Sequence, residues 1–394
     1  MKLNIAIIGG GTAGLFLASF LNTDIYDVTI YEKKASVGRK FLVAGAGGFN
    51  LTHSEELSEF KSRYTPNSLF EKALNAFTND DLRVWFQNLG ISTFVGSSGR
   101  VFPVKGVKPI EVLKTIEAHL IKKNVKFEYN KTFTNWNEEN ALVFSGNKIV
   151  EYDYSIFALG GSSWKVTGSD GSWLDTFAQK GIETSPFIAS NCAFNINWPE
   201  KFIQRNEGKP LKNISFSINN KTQKGEVVVT KFGLEGNAIY GLSPEIQSKL
   251  TTENQAIVFA DFKPAFDLLK LTKKLVDSKS NITTILKDEI KLSRSVVELI
   301  KATLTKEQYL DTSILAVFIK KFPLTIVGSA SIDEAISTSG GIHLNAIEAN
   351  FELKKMKNNF CIGEMLDWDA PTGGYLIQAC ASMGVHLARH LNTI

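Results

Sequence analysis

Three glycines near the N-terminus, Gly9, Gly11 and Gly14, stand at the spacing G-x-G-x-x-G, with Thr12 and Ala13 between the last two. Glycines so placed handle phosphate. The first permits a tight turn, the second lets a pyrophosphate approach the backbone, and the third lets a helix pack close to a strand. The phosphates then face the N–H groups of the helix start. The chain holds 30 glycines, so the spacing alone is a weak signal. Its surroundings strengthen it: an apolar run at residues 3–8 precedes the turn, helix-like residues 15–21 follow it, and a second strand at 28–31 ends in Glu32. Glu32 lies eighteen residues beyond Gly14, where a carboxylate can accept hydrogen bonds from ribose hydroxyls. An acid there disfavours a 2′-phosphate, which removes NADP and leaves FAD and NAD open. The plain alternative is a turn of this shape that binds nothing; strand, helix and acid in register argue against it.

The elements that must position these residues follow from periodicity. Residues 38–51 form a glycine-rich loop too long to be mere connection. Apolar residues recur at helical spacing over 69–89 and 109–122, a strand-like stretch runs from 125 to 144, and 156–159 reads as a buried strand stopped by Gly160-Gly161. This is an α/β body. Beyond Pro186 come strand-like segments at 193–198, 214–218, 226–230 and 257–262, an antiparallel insertion. Lysine-rich amphipathic helices occupy 266–318, with Leu268, Leu269, Leu271, Leu275 and Val276 on one broad face. Residues 359–363 read as a last buried strand and 373–391 as a closing helix that returns to the first domain. The expected division is a discontinuous nucleotide domain at 1–188 and 335–394, a β-rich insertion at 189–263 and 322–334, and a helical subdomain at 264–321.

Composition sets limits. With 43% hydrophobic and 21% charged residues over 394 positions, the chain is globular and too long for one ordinary core. Lys plus Arg exceeds Asp plus Glu by 44 − 40 = +4, with short basic runs such as Lys33-Lys34 and Lys354-Lys355, so no nucleic-acid partner is expected. The N-terminus enters a strand without a basic leader or long apolar span, so neither secretion nor a membrane partner is expected. Cys192, Cys361 and Cys380 are odd in number and lack C-x-x-C spacing, which suits small buried side chains in a reducing cytoplasm rather than disulfides or zinc. Among the histidines only His386 and His390 stand near ligand spacing, and they read as an exposed pair at a helix end; no metal is expected.

Several separated motifs carry a resemblance. They are Val37-Gly38-Arg39-Lys40-Phe41-Leu42; Ala44-Gly45-Ala46-Gly47-Gly48-Phe49-Asn50-Leu51-Thr52-His53; Ser98-Gly99-Arg100-Val101-Phe102-Pro103; Gly233-Leu234-Glu235-Gly236; and the run from Gly363-Glu364 through Trp368 to Gly373-Gly374-Tyr375. In these the chain resembles the YhiN-like, BaiN-like flavoproteins, also called the aminoacetone oxidase family, in its shorter bacterial branch. The resemblance implies FAD as cofactor and a glutathione-reductase-like, Rossmann-like FAD-binding domain with β-rich and helical units inserted. It implies that Gly363 and Glu364 help hold the ribityl chain and ring, and that the amides of Gly373, Gly374 and Tyr375, with Gln378 beyond, face the flavin's carbonyl side. There a helix start would stabilise anionic reduced flavin. Arg39 and Lys40 are expected beside the pyrophosphate, against a reading as a solvated basic pair, and Lys33 joins the cofactor set beside Glu32. Gly45 and Gly48 would let backbone approach a flat cofactor. Asn50 either contacts the flavin or closes an Asx turn. By analogy with related flavoproteins, Phe133 would meet adenine through its backbone. Wider members of the family carry Arg-Cys-Asn where this chain has Gly48-Phe49-Asn50.

A flavin carries its own redox chemistry, so the protein need only hold a substrate and offer an acid or base. Arg100, after a turn, is the candidate to clamp a substrate carboxylate or carbonyl, against a reading as a structural salt bridge; Asn50 is the second catalytic candidate. Trp368 and Tyr375 could stack on a substrate but read more simply as packing. Only one dinucleotide fingerprint is present, because Gly160-Gly161-Ser162-Ser163 lacks the third glycine and the acid, so NAD(P)H could act only by docking transiently. The expected function is an FAD-dependent oxidoreductase acting on a small organic substrate, by double-bond reduction or amine or ketone oxidation. The alternative is an FAD-binding redox sensor or partner-binding flavoprotein without turnover. Flavin-dependent RNA modification is a third reading, against which the small net charge argues.

Overall fold

The computed structural model describes residues 2–43 and 49–394. They fall into two compact units, Met1–Ile188 with Ile332–Ile394, and Ala189–Ser331.

The first unit is centred on a parallel five-stranded sheet in the order Asn359–Cys361, Tyr154–Phe157, β1 (Leu3–Ile8), β2 (Tyr26–Glu32), Lys126–Tyr129. The order reverses at β1, and open α/β sheets bind ligands at such a switch, beyond the carboxyl ends of the strands. Gly9 follows β1 directly, so the glycine turn occupies that place. From Ile5 to Ile8 β1 is a continuous apolar run because both its faces are covered there: Ile5, Ala6 and Ile7 are fully buried, whereas Leu3 and Asn4 are exposed.

Helix α1 (Thr12–Phe20) is buried from Ala13 to Ser19 because the C-terminal helix, Tyr375–Leu391, lies along it. Their approach is set by Gly384. A Cβ there would come within 2.6 Å of the Ala13 carbonyl oxygen and 2.8 Å of the Leu17 nitrogen, so no larger residue fits. Helix α2 (Arg39–Val43) is short and lies in the glycine-rich loop, of which residues 38–43 and 49–51 are described.

Two expectations of continuous elements are corrected. The helix expected over 69–89 is two, Glu71–Ala76 and Asn79–Asn88, separated at Thr78. The Thr78 hydroxyl accepts from the Asp81 N–H while the Asp81 carboxylate accepts from the Thr78 N–H, a capping box that starts a new helix. The stretch 125–144 also divides. Lys126–Tyr129 joins the parallel sheet, whereas Phe133–Trp136 pairs with Leu142–Phe144 and that with Lys148–Val150 in a separate antiparallel sheet. A third small sheet holds Arg100–Pro103 between Thr52–His53 and Thr93–Val95.

In the second unit six strands close into a barrel, in the order Phe194–Ile196, Gly233–Glu235, Lys221–Val229, Pro210–Ile218, Ala256–Asp261, Phe322–Ser329. Phe322, Leu324 and Ile326 point inward while Pro323, Thr325 and Val327 face out, the period-two alternation of a half-buried strand. The helices Leu268–Asp277, Arg294–Thr303 and Thr312–Lys320 bury Leu271, Leu275, Val296, Ile300, Leu315 and Ile319. The broad apolar face read on the first of these is narrower than expected. Leu271 and Leu275, one helical turn apart, are buried, but Leu268, Leu269 and Val276 are 43%, 83% and 60% exposed. No helix of the described residues is long and apolar enough to cross a membrane.

Candidate functional site

Each glycine of the turn has its own steric reason. Gly9 has φ +112°, and a Cβ there would collide with the Ala158 carbonyl oxygen. A Cβ on Gly14 would collide with the Gly9 carbonyl oxygen, so the third glycine lets α1 rest against β1. Gly11 is different: a Cβ there would meet nothing within 4 Å. The protein itself does not require glycine at that position, and the open space lies at the start of α1. That start carries no side-chain cap and no acid in its first turn, so its N–H groups and positive dipole end are left for an anion.

Glu32 closes the turn from the second strand. Its carboxylate accepts from the Gly10 N–H at 3.0 Å and from the Lys34 N–H at 2.8 Å. Burial raises its pKa, opposed by those two bonds and by the charges of Lys33 and Arg39. A carboxylate has about four acceptor positions, so two remain for hydroxyl donors. Lys33 pairs with Asp170 at 2.8 Å.

From α2, Lys40 Nζ donates to Glu364 Oε2 and to the Ser163 hydroxyl, each at 2.9 Å. Arg39 leaves its Nε buried without a hydrogen-bond partner among the described residues, an orphan donor that buried groups rarely tolerate. Gly363, at φ +84°, brings the C-terminal stretch onto α1, where a Cβ would stand 3.0 Å from the Ala13 Cβ. Residues from both ends of the chain thus meet beside the glycine turn: Ala13 and Lys40 from one, Gly363 and Glu364 from the other. Cys380 also lies here, its thiol pushed up by burial.

The start of the C-terminal helix forms a second cluster. Gly373 and Gly374 take φ +119° and +101°, and a Cβ on Gly374 would lie 2.5 Å from the Thr52 Cα. No side chain caps the helix, and its first turn holds no acid. The Tyr375 hydroxyl donates to Glu55 at 2.5 Å, and Arg63 grips the same carboxylate with Nε at 3.2 Å and Nη2 at 2.8 Å. Burial works to raise the Glu55 pKa, but the bonds from Arg63 and Tyr375 outweigh it and hold it below the ordinary value. Arg100 Nε would lie 3.4 Å from a Cβ on Gly373, and Arg100 makes no ion pair or side-chain hydrogen bond among the described residues. The structural salt bridge considered for it is thus not seen there.

The other expected residues have their own surroundings. The Gln378 carboxamide is wholly buried and bonded inside the protein, accepting from Thr52 at 2.8 Å and donating to the Phe77 carbonyl and the Ser382 hydroxyl at 3.1 Å each. Phe133 packs its ring among Trp136, Phe157 and Phe144. Trp368 is buried against Tyr64 and Phe70 and donates to the Gly363 carbonyl at 2.8 Å, so it packs. Asn50 is half-buried without a side-chain bond among the described residues. Gly45 and Gly48 fall outside the described residues. His386 and His390 are half-buried rather than exposed, His390 bonded to Asn350 at 2.9 Å. All three cysteines are buried, and among the described residues no group of His, Cys, Asp and Glu is arranged to hold a metal. Sequence reasoning missed Glu55, Arg63, Ser163 and Asp170: Arg63 and Asp170 stand outside every motif, and Glu55, just past His53, and Ser163, in the Gly160-Gly161 run, carry no spacing that marks them.

The description "HI0933-like protein Rossmann domain" fits residues 3–390, nearly the whole length. The chain belongs to the HI0933-like Rossmann family. This agrees with the resemblance carried by its motifs. A ribosomal RNA dihydrouridine synthase of Haemophilus influenzae is 24% identical over 94% of this chain and 94% of its own. A 3-dehydro-bile acid delta(4,6)-reductase of Clostridium scindens is 24% identical over 95% of each. Among solved structures, 3-ketosteroid delta1-dehydrogenase of Sterolibacterium denitrificans matches 100% of this chain and 99% of its own at 10% identity, with a TM-score of 0.49.

Proposed function

We propose that this HI0933-like chain is an FAD-dependent reductase of a ring carbon–carbon double bond conjugated to a carbonyl, with electrons delivered by a nicotinamide that docks transiently. The observation that carries the reading is the open position at Gly11, before an uncapped helix start, together with the orphan Nε of Arg39, whose neighbour Gly38 donates its N–H to the Gly10 carbonyl. That is what a pyrophosphate would occupy. In this reading α1 and Arg39 hold the phosphates, Glu32 accepts from ribose, and the Lys40–Glu364 pair fixes the Gly363 stretch against Ala13. The amides of Gly374 and Tyr375 face the ring's carbonyl side. Bound flavin supplies the two-electron chemistry. The named relatives support the reaction class: dihydrouridine is uridine reduced across a double bond conjugated to a carbonyl, and the bile-acid enzyme is by name a reductase.

A second reading, that the conjugated ring is a uracil in ribosomal RNA, is favoured by where the charge lies. Residues 264–321 hold 11 Lys and Arg against 7 Asp and Glu, a net +4, while the other positions hold 33 of each, so the whole surplus sits in this segment. The net charge of the chain hides that concentration.

Anaerobic reduction by NADH and by NADPH, then reoxidation against cyclic enones, a ribosomal RNA transcript, quinones and oxygen, tests the proposal. Reoxidation by an enone or by the transcript, with the saturated product formed, is the expected result. Reoxidation by oxygen alone, with a stoichiometric protein partner in cell extract, would favour the sensor reading instead.

A further inference from the structure

None of the residues assigned above to the cofactor lies on the outer face of the small sheet around Arg100. Thr52, Val101 and Pro103 turn inward and are buried, so the alternating residues His53, Arg100, Phe102 and Phe94 share the other face. Across the pairing His53 stands opposite Arg100, and Phe94 opposite Phe102. The two phenylalanine rings stack with centroids 5.6 Å apart and planes at 27°, and Phe94 is 46% exposed. At the other end the His53 ring lies over Tyr375, with centroids 5.5 Å apart and planes at 20°. Both His53 nitrogens are engaged: Nδ1 accepts from the Glu55 N–H at 3.2 Å and Nε2 donates to the Ser98 carbonyl at 2.9 Å.

Among the described residues Arg100 is therefore the one group on this face with spare polar capacity, between a histidine–tyrosine stack and a phenylalanine stack. A guanidinium only donates, so its partner must be an acceptor such as a carbonyl or carboxylate oxygen. Of the flanking rings Phe94 is exposed and Phe102 and His53 are half-buried, so the aromatic surface left beside Arg100 suits a flat ring rather than a flexible acid. The position of Arg100 beside Gly373 sets this face next to the helix start assigned to the flavin ring.

We infer that the His53–Arg100–Phe102–Phe94 face is the substrate recognition surface, taking a flat conjugated ring on Phe102 and Phe94 and its carbonyl oxygen on Arg100. This rests on the flavin reading above. A fused-ring enone and a pyrimidine share that chemistry, so the test has an arm for each.

The experiment measures binding to the oxidised, flavin-loaded protein by calorimetry, with 4-androstene-3,17-dione in one arm, uridine in the other and succinate as a carboxylate without a ring. One ring probe binds and succinate does not. Arg100→Met weakens that probe roughly ten- to hundredfold, the worth of a hydrogen bond to a charged group. Arg100→Lys restores part of the binding. Phe94→Ala and Phe102→Leu weaken it roughly two- to tenfold, the worth of an aromatic pair. Flavin content stays unchanged in all four. Undiminished binding in Arg100→Met and Phe94→Ala, tight binding of succinate, or no binding of either ring overturns the inference. Absence of flavin from the unsubstituted protein would strike the cofactor reading instead.

Discussion

Lys40 Nζ lies 2.9 Å from Glu364 Oε2, joining residues 324 positions apart across the two ends of the chain. Only 26% and 14% of their side-chain surfaces are exposed, so the pair is shielded more than a surface ion pair. Lys40→Met leaves the Glu364 carboxylate without its cation and is expected to cost about 1–3 kcal/mol in urea unfolding. The double variant Lys40→Met/Glu364→Gln recovers part of that loss, because no buried charge is left alone. A double variant as unstable as the sum of its singles would contradict the pairing.

The glycine turn separates fold from ligand. Gly14→Ala forces a methyl into the Gly9 carbonyl and is expected to destabilise by about 1–3 kcal/mol. Gly11→Ala meets no atom within 4 Å at an ordinary φ of −81°, so the protein folds with unchanged stability once FAD is removed. Its retained flavin falls by at least about tenfold, as for a loss near 1.4 kcal/mol. Thermal melts and flavin absorbance of the two variants check both halves.

Tyr375→Phe removes the O–H donated to Glu55 and costs about 1.5–3 kcal/mol near neutral pH, the usual worth of a bond to a charged group. The folded-state pKa of Glu55 is lowered, so its contribution is present above the unfolded value and lost as pH falls through the folded one. The stability gap between Tyr375→Phe and the unsubstituted protein therefore narrows as pH drops below the ordinary glutamate range. Urea midpoints between pH 7 and pH 3 measure it; a gap independent of pH would mean that the hydroxyl does not act through the carboxylate.

If RNA is the substrate, the surplus charge of residues 264–321 should be felt as counterion release. Changing Lys270, Lys273 and Lys274 together to Gln is expected to weaken binding of a ribosomal RNA transcript and to lower the salt slope by roughly two to three. Filter binding at several salt concentrations reads both. An unchanged slope would assign that charge to solubility alone.

What was legible in the sequence was local. β1, the glycine turn, α1 and Glu32 follow one another within 32 residues, and each declares itself by residue type and period. The closing helix was legible for the same reason, from glycines before an apolar period. Thr78 was legible in principle, since Thr-x-x-Asp before an apolar helix is a capping signal, but the surrounding periodicity masks it. The contacts of Lys40 with Glu364, and of Tyr375 and Arg63 with Glu55, depend on the folded chain and have no local signature. The same holds for Gly384, which reads as an ordinary helix residue until the backbone of α1 is seen against it. The return of residues 322–334 to the β-rich insertion was expected, but the partners by which Phe322–Ser329 closes the barrel, Phe194–Ile196 and Ala256–Asp261, have no local signature.

We propose that a flavin dinucleotide belongs at the meeting of the two chain ends. The most direct measurement is to purify the protein, release any bound chromophore by denaturation, and identify and count it by mass spectrometry and absorbance. One FAD per chain, or an apoprotein whose melting temperature rises on adding FAD, is the expected result. A colourless protein that FAD neither stabilises nor binds would contradict it.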